Sequence, residues 1–148
     1  MGYVCDVLFI IILTAAAVFD LKKQIIPNIL SLGILLLFLN KVLLTNNSSS
    51  IEKSLINAAA GFMIALIVTG IPYGIHRSVG GGDVKLMSVC GLYCGARLTF
   101  AVLCCSFLLC AVCAGILMIA KRRKVKMIPF APFILVGTII PLLFSYLS

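Results

Sequence analysis

The chain alternates long apolar runs with short polar breaks, and the runs carry most of its length. The first extends from Tyr3 to Phe19, the second from Ile29 to Leu44, and the third from Ser54 to about Tyr73. A short fourth run opens near Asp83 and stops at about Gly95; a fifth covers Leu98 to Ala120, and the last opens at Ile128 and closes at Tyr146. Spanning a bilayer takes roughly 20 apolar residues. The pattern therefore predicts an all-α integral membrane protein of about six transmembrane helices, forming one membrane-embedded domain over residues 1–148. The fourth run is too short to cross about 30 Å of hydrocarbon without its flanking turns, and reads as a short helix.

The breaks have local causes. Pro27 fits the first turn of the second helix and disfavours helical geometry at Ile26. The polar stretch Thr45-Asn46-Asn47-Ser48-Ser49-Ser50 reads as an exposed outer loop, and Gly70, Pro72 and Gly74 loosen the end of the third run. Ala15-Ala16-Ala17 resembles a signal-cleavage site, but no basic region precedes the run and Lys22-Lys23 follow it, so the first helix is expected to be retained with its amino end outside.

Composition narrows the class. With 63% hydrophobic residues and a mean hydropathy of +1.26, the chain has too few polar residues to cover a soluble globule. A net charge of +8 would suggest nucleic acid in a soluble domain, but here the bases cluster between apolar runs, and no nucleic-acid partner is expected. With six spans, Lys22, Lys23, Arg77, Lys85 and the five bases of 121–126 share one face, against Lys41, Lys53 and Arg97 on the other. That asymmetry places the first face in the cytoplasm and both termini outside. Cys90, Cys94, Cys104, Cys105, Cys110 and Cys113 lie in apolar runs without a histidine partner, so they read as packing residues, and Cys110-x-x-Cys113 is a weak metal or redox signal. No metal or cofactor is expected.

Only four acids occur: Asp6, Asp20, Glu52 and Asp83. Asp6 and Glu52 read as outer interfacial residues, and His76 as another interfacial residue. Asp20 closes an inward-running helix and Asp83 opens an outward-running one, so the two share a depth at the cytoplasmic boundary, and they meet if segments one and four pack together. Taken alone, Asp20 could cap the junction at Pro27, and Asp83 could be a helix N-cap. Together they suit aspartic proteolysis, in which one carboxyl holds a proton while the other activates water. The sign of each acid's own helix end makes Asp83 the candidate base and Asp20 the protonated partner. Gly80, Gly81 and Gly82 before Asp83 permit a sharp turn and close approach of a substrate strand, and Pro27, Asn28 and Lys85 complete the expected loop positions. Lys85 reads as an interfacial anchor and not a catalytic group. Paired acids also suit a non-enzymatic assembly subunit or one coupled to ion or proton transport, although a transporter would place them nearer the midplane.

Asp20 followed by Ile26-Pro27-Asn28, then Gly80-x-Gly82-Asp83-x-Lys85-Leu86, then Pro129-Phe130-x-Pro132-Phe133, resembles the type IV prepilin peptidases over essentially the whole chain. Gly-x-Gly-Asp by itself is shared with presenilin-like intramembrane proteases, but Asp20 sits at a helix end followed by lysines and not within a span. The resemblance implies an aspartic endopeptidase of the cytoplasmic membrane. Its substrates would be prepilins or pseudopilins, whose short basic leader is cut at the cytoplasmic edge, commonly after a glycine. It maps the catalytic pair onto Asp20 and Asp83. Long members carry a cytoplasmic domain with paired Cys-x-x-Cys motifs between the first two spans and methylate the new amino terminus with S-adenosylmethionine. Only about eight residues separate those spans here, so the chain looks like the short, peptidase-only members of Flp-type pilus systems, and similar compact enzymes process archaeal preflagellins. Position 131 is Ala where long members often show Gly.

Overall fold

A computed structural model describes residues 2–23, 26–43, 48–76, 80–121 and 129–147, and these are helical apart from the short connections at residues 26–27, 80 and 129–130. Five helices follow one another: α1 (Gly2–Lys23), α2 (Asn28–Leu43), α3 (Ser48–His76), α4 (Gly81–Lys121) and α5 (Ala131–Leu147). The protein is thus all-α and multi-pass. Three helices are long and apolar enough to cross a bilayer: α1, α3 and α4. The apolar α2 and α5 are shorter, at 16 and 17 residues. Thr45–Asn47 and residues 122–126 of the basic run lie outside the described residues, as does Arg77. Ser48–Ser50, expected in a loop, form the first turn of α3 instead.

The boundary expected between the fourth and fifth runs falls inside α4. Its 41 residues join the expected fourth and fifth segments through Gly95, whose φ of 75° and ψ of 169° are not helical. The chain turns back sharply there. Thr99 Oγ1 lies 2.6 Å from the Gly95 carbonyl oxygen and 3.2 Å from that of Gly91, whereas eight residues of straight helix would span about 12 Å. Met87, Cys90 and Gly91 of the first arm likewise line one small cavity with Thr99 and Val102 of the second. No loop is needed, because α3 supplies what the break leaves unsatisfied: Asn57 Oδ1 accepts the Ala96 amide at 3.1 Å.

Close packing of α3 on α4 depends on small residues, as expected where lipid removes the hydrophobic drive between helices. Gly61 and Gly91 meet backbone to backbone; a Cβ on Gly61 would stand 2.3 Å from the Gly91 carbonyl oxygen. Segments one and four, whose packing was the condition for the two acids to meet, do pack, but through side chains, with no close backbone approach among the described residues. Large side chains bridge the gap instead, with Phe9 stacked on Tyr93 at 4.2 Å between centroids. Around that stack Leu13, Ile34, Leu86, Met87 and Ile134 are fully buried.

Asp6 does more than face an interface. Its Oδ1 accepts the Tyr93 hydroxyl at 2.5 Å and lies 3.8 Å from Lys41 Nζ, while Oδ2 accepts the Tyr146 hydroxyl. Lys41 also lies over the Tyr93 ring, 4.4 Å from its centroid. One carboxylate thereby ties α1 to α2, α4 and α5. Each hydrogen bond to a charged group contributes about 1.5–3 kcal/mol. Asp6→Ala is therefore expected to lower the thermal midpoint in detergent clearly, where Glu52→Ala, at an exposed position near the start of α3, leaves it in place. Equal midpoints for the two variants would show that the cluster does not hold the helices together.

Candidate active site

Two helix ends and one turn build the site. Asp20 lies in the last turn of α1, buried, three residues before the helix stops at Lys23. Asp83 is the third residue of α4. Gly80 caps that helix, its carbonyl accepting the Asp83 and Val84 amides at 3.0 and 3.2 Å. The Asp83 carboxylate reaches back toward the Gly80 amide, as an acid at the third helical position commonly does. A Cβ on Gly80 would stand 3.0 Å from Asp83 Oδ2, so a side chain there would crowd the carboxylate. One on Gly82 would stand 3.2 Å from Ile26 Cβ, so this glycine lets the start of α4 approach the α1–α2 turn.

These elements enclose a cavity of about 520 Å³. Asp20, Pro27, Asn28, Gly80, Gly81, Gly82, Asp83 and Lys85 all line it, together with Ile26. Every site residue singled out in the sequence therefore faces one space, and the two carboxyl groups are close enough to act on each other electrostatically. Lys85 Nζ donates to Asn28 Oδ1 at 3.4 Å across the rim. Asp83 Oδ1 is buried and has no hydrogen-bond partner among the described residues. Among them, too, no three His, Cys, Asp or Glu side chains gather as metal ligands would.

One participant has no side-chain signature. The Ala131 amide, at the first residue of α5, donates to Asp20 Oδ2 at 3.0 Å. Phe130 holds that helix start in place; it is buried, and its ring tilts against Phe107 of the second α4 arm at 5.4 Å. Asp20 thus sits against the amino end of another helix, where exposed amides and the helix dipole favour negative charge. The only sequence pointer to this contact was the Pro129-Phe130-x-Pro132-Phe133 motif, which carried no stated role.

A pair of acids, one buried and one partly exposed, beside a glycine-lined turn can activate water toward an amide, and the comparisons with known proteins point the same way. Residues 7–115, which include both acids, match the type IV leader peptidase family. The prepilin leader peptidase/N-methyltransferase of Bacillus subtilis (strain 168) is 34% identical over 140 residues, covering 94% of this chain and 55% of the relative. The chain therefore spans about half the length of that curated relative. No solved structure matches it. With three quarters of its length matched and its acids inside the match, this chain belongs to the type IV leader peptidase family.

Proposed function

We propose that the protein is an aspartic endopeptidase of the cytoplasmic membrane that removes the basic leader from type IV prepilins or related pilin-like precursors, with Asp20 and Asp83 as its catalytic dyad. The observation that carries this reading is the shared cavity, in which both carboxyl groups face the glycine turn and Pro27-Asn28. The distribution of basic residues supports an active site at the cytoplasmic face, because Lys22, Lys23 and Lys85 follow the two acids closely. A precursor with its leader in the cytoplasm and its apolar helix in the bilayer would present the bond to be cut at that depth. Only residues 24–27 separate α1 from α2, too few to hold a methyltransferase-type domain between those two helices, and the activity proposed for this chain is the peptidase step.

The hydrogen bonds favour the opposite division of labour to the one expected from each acid's own helix. Asp20 accepts the α5 amide and so suits the ionised state, whereas an anionic Asp83 would leave a buried Oδ1 unpaired. On this reading Asp83 carries the proton in the resting dyad and Asp20 is the base. Asp20 takes a proton from water as its oxygen attacks the scissile carbonyl carbon, and Asp83 gives its proton to the carbonyl oxygen. Collapse of the tetrahedral intermediate breaks the C–N bond, returns the hydroxyl proton to Asp83 and sends the proton held by Asp20 to the leaving amine. Each turnover restores the starting state.

The Ala131 contact offers a test of these roles. Proline is tolerated at a helix's first position, so Ala131→Pro deletes the amide proton without breaking α5. Losing a hydrogen bond to a charged group should lower kcat by about 10–100-fold, with KM little changed. An unchanged kcat in a folded variant would remove Ala131 from the account. The proteolytic reading itself is tested by co-expressing the chain with a prepilin and following leader loss in the wild type and the dyad variants.

A further inference from the structure

Beside the dyad cavity lies a second concavity. Helices α2 and α3 barely touch, while each packs on α4, and the cleft between them has a volume of about 330 Å³. One wall is Asn28, Ser31, Leu32 and Leu35, spaced i, i+3, i+4 and i+7 on a single face of α2; the other is Phe62 and Leu66 of α3. The first turns of α4 form the floor. Leu32, Leu35 and Leu66 remain exposed along the edges, so the cleft opens sideways, toward lipid when the helices lie in a bilayer.

Its position singles out an occupant. Asn28 and Lys85 line both concavities, and their hydrogen bond marks the junction between them. From that junction the cleft follows α2 for about 10 Å, or two helical turns, away from the acids. The polar space holds the dyad, and the apolar space continues from it. A chain lying in both must be charged or polar on one side of the cut and apolar on the other. A basic leader is excluded from the apolar cleft by the cost of desolvating its charges.

We infer that the α2/α3 cleft seats the first two turns of the substrate's apolar helix, immediately C-terminal to the cleaved bond, so that the bond reaches the dyad from the side of the bilayer. This rests on the peptidase reading above. Ser31 supplies the space for the incoming helix; a bulky residue there would fill it. Binding of the membrane-embedded part of the substrate is thereby separated from chemistry at the acids.

The test uses the full chain in nanodiscs and two synthetic substrates. One carries a basic leader ending in glycine followed by about twenty apolar residues, enough to span a bilayer; the other is a water-soluble peptide with the same leader and only a few residues beyond the cut. Ser31→Trp, and independently Leu35→Trp, are expected to raise KM for the long substrate by about tenfold or more, the penalty of one lost anchoring contact. Cleavage of the short peptide should stay within about twofold. A photoreactive benzoylphenylalanine at Leu35 in the Asp83→Asn background should also cross-link the long substrate far more than the same group at lipid-facing Val112 of the second α4 arm. Equal effects on both substrates, no effect on either, or equal cross-linking at the two positions would overturn the cleft assignment and leave ordinary lipid as its occupant. Wild-type cleavage of both substrates, and none by Asp83→Asn, is the separate control on the peptidase reading. Its failure would remove that reading whatever the tryptophan variants do.

Discussion

Asp83→Asn, and separately Asp20→Asn, should each suppress leader removal by about 10²–10⁴-fold or below detection, while the protein stays folded in the membrane. An amide cannot accept the proton from water or return one to the leaving amine, so neither half of the pair can perform both transfers. The two variants should nevertheless differ in their structural consequences. Asp20→Asn can keep an acceptor for the Ala131 amide through its carbonyl oxygen, so α1 and α5 remain joined. Asp83→Asn replaces an ionisable group, one oxygen of which has no partner among the described residues, by a neutral amide of the same shape, and its thermal midpoint should stay close to that of the wild type. The measurement is cleavage of a co-expressed prepilin alongside melting of the purified protein in detergent. Substantial cleavage by either amide variant would end the dyad assignment.

The second large effect concerns the scaffold. Gly91→Leu is expected to abolish the compact fold, because even a Cβ at this position would lie 2.5 Å from the Gly61 carbonyl oxygen and 2.9 Å from Ala65 Cβ. Overpacking against side chains typically costs about 1–3 kcal/mol, and here the obstacle is another helix's backbone, which cannot swing aside as a side chain can. Helix α3 would have to leave α4, taking with it Asn57 and the hydrogen bond that steadies the turn at Gly95. Since Asp83 stands at the start of the same α4 arm, activity should vanish with the fold. Gly115→Leu provides the comparison, as nothing lies within 4 Å of a Cβ there. Size-exclusion behaviour and the thermal midpoint should separate the two variants. A folded, active Gly91→Leu protein would show that the α3–α4 crossing is looser than described.

Those two outcomes bear on parts of the molecule that were unequally legible in the sequence. The two acids that share the cavity, and the turn beside them, were readable because a carboxylate between apolar runs is rare and costly, so Asp20, Asp83 and the glycines before Asp83 stood out. Pro27, expected in the first turn of the second helix, directly precedes α2, and α5 begins at Ala131, three residues after the expected opening of the last run at Ile128. The joint at Gly95 was harder. A boundary near it was visible, but that the chain reverses within one residue depends on Asn57, nearly forty positions earlier, accepting the Ala96 amide. The Asp6 cluster was missed for a similar reason: its partners Lys41, Tyr93 and Tyr146 come from three other helices, and nothing in their spacing announces a meeting.

The hydrogen bonds favour a division of roles between the two acids opposite to the one expected from their own helices. Each acid was weighed against the dipole of the helix that carries it, which favoured charge on Asp83. In the folded protein Asp20 also meets the amino end of α5, through a backbone amide that any residue but proline would provide. Side-chain patterns report poorly on such contacts. The same limit explains why the α2/α3 cleft could not be anticipated: α2 and α3 both read as ordinary apolar helices, and only their separation over α4 opens a space beside the acids.

The most direct test of the central claim is an experimental structure of the protein bound to a leader peptide in which a hydroxyl-bearing isostere replaces the scissile amide, mimicking the tetrahedral intermediate. The account predicts that hydroxyl within hydrogen-bond reach, about 2.6–3.2 Å, of both the Asp20 and Asp83 carboxyl groups, with the apolar residues that follow it lying toward α2. A bound inhibitor whose hydroxyl touches one acid while the other stays too far away for a single water to bridge would contradict it.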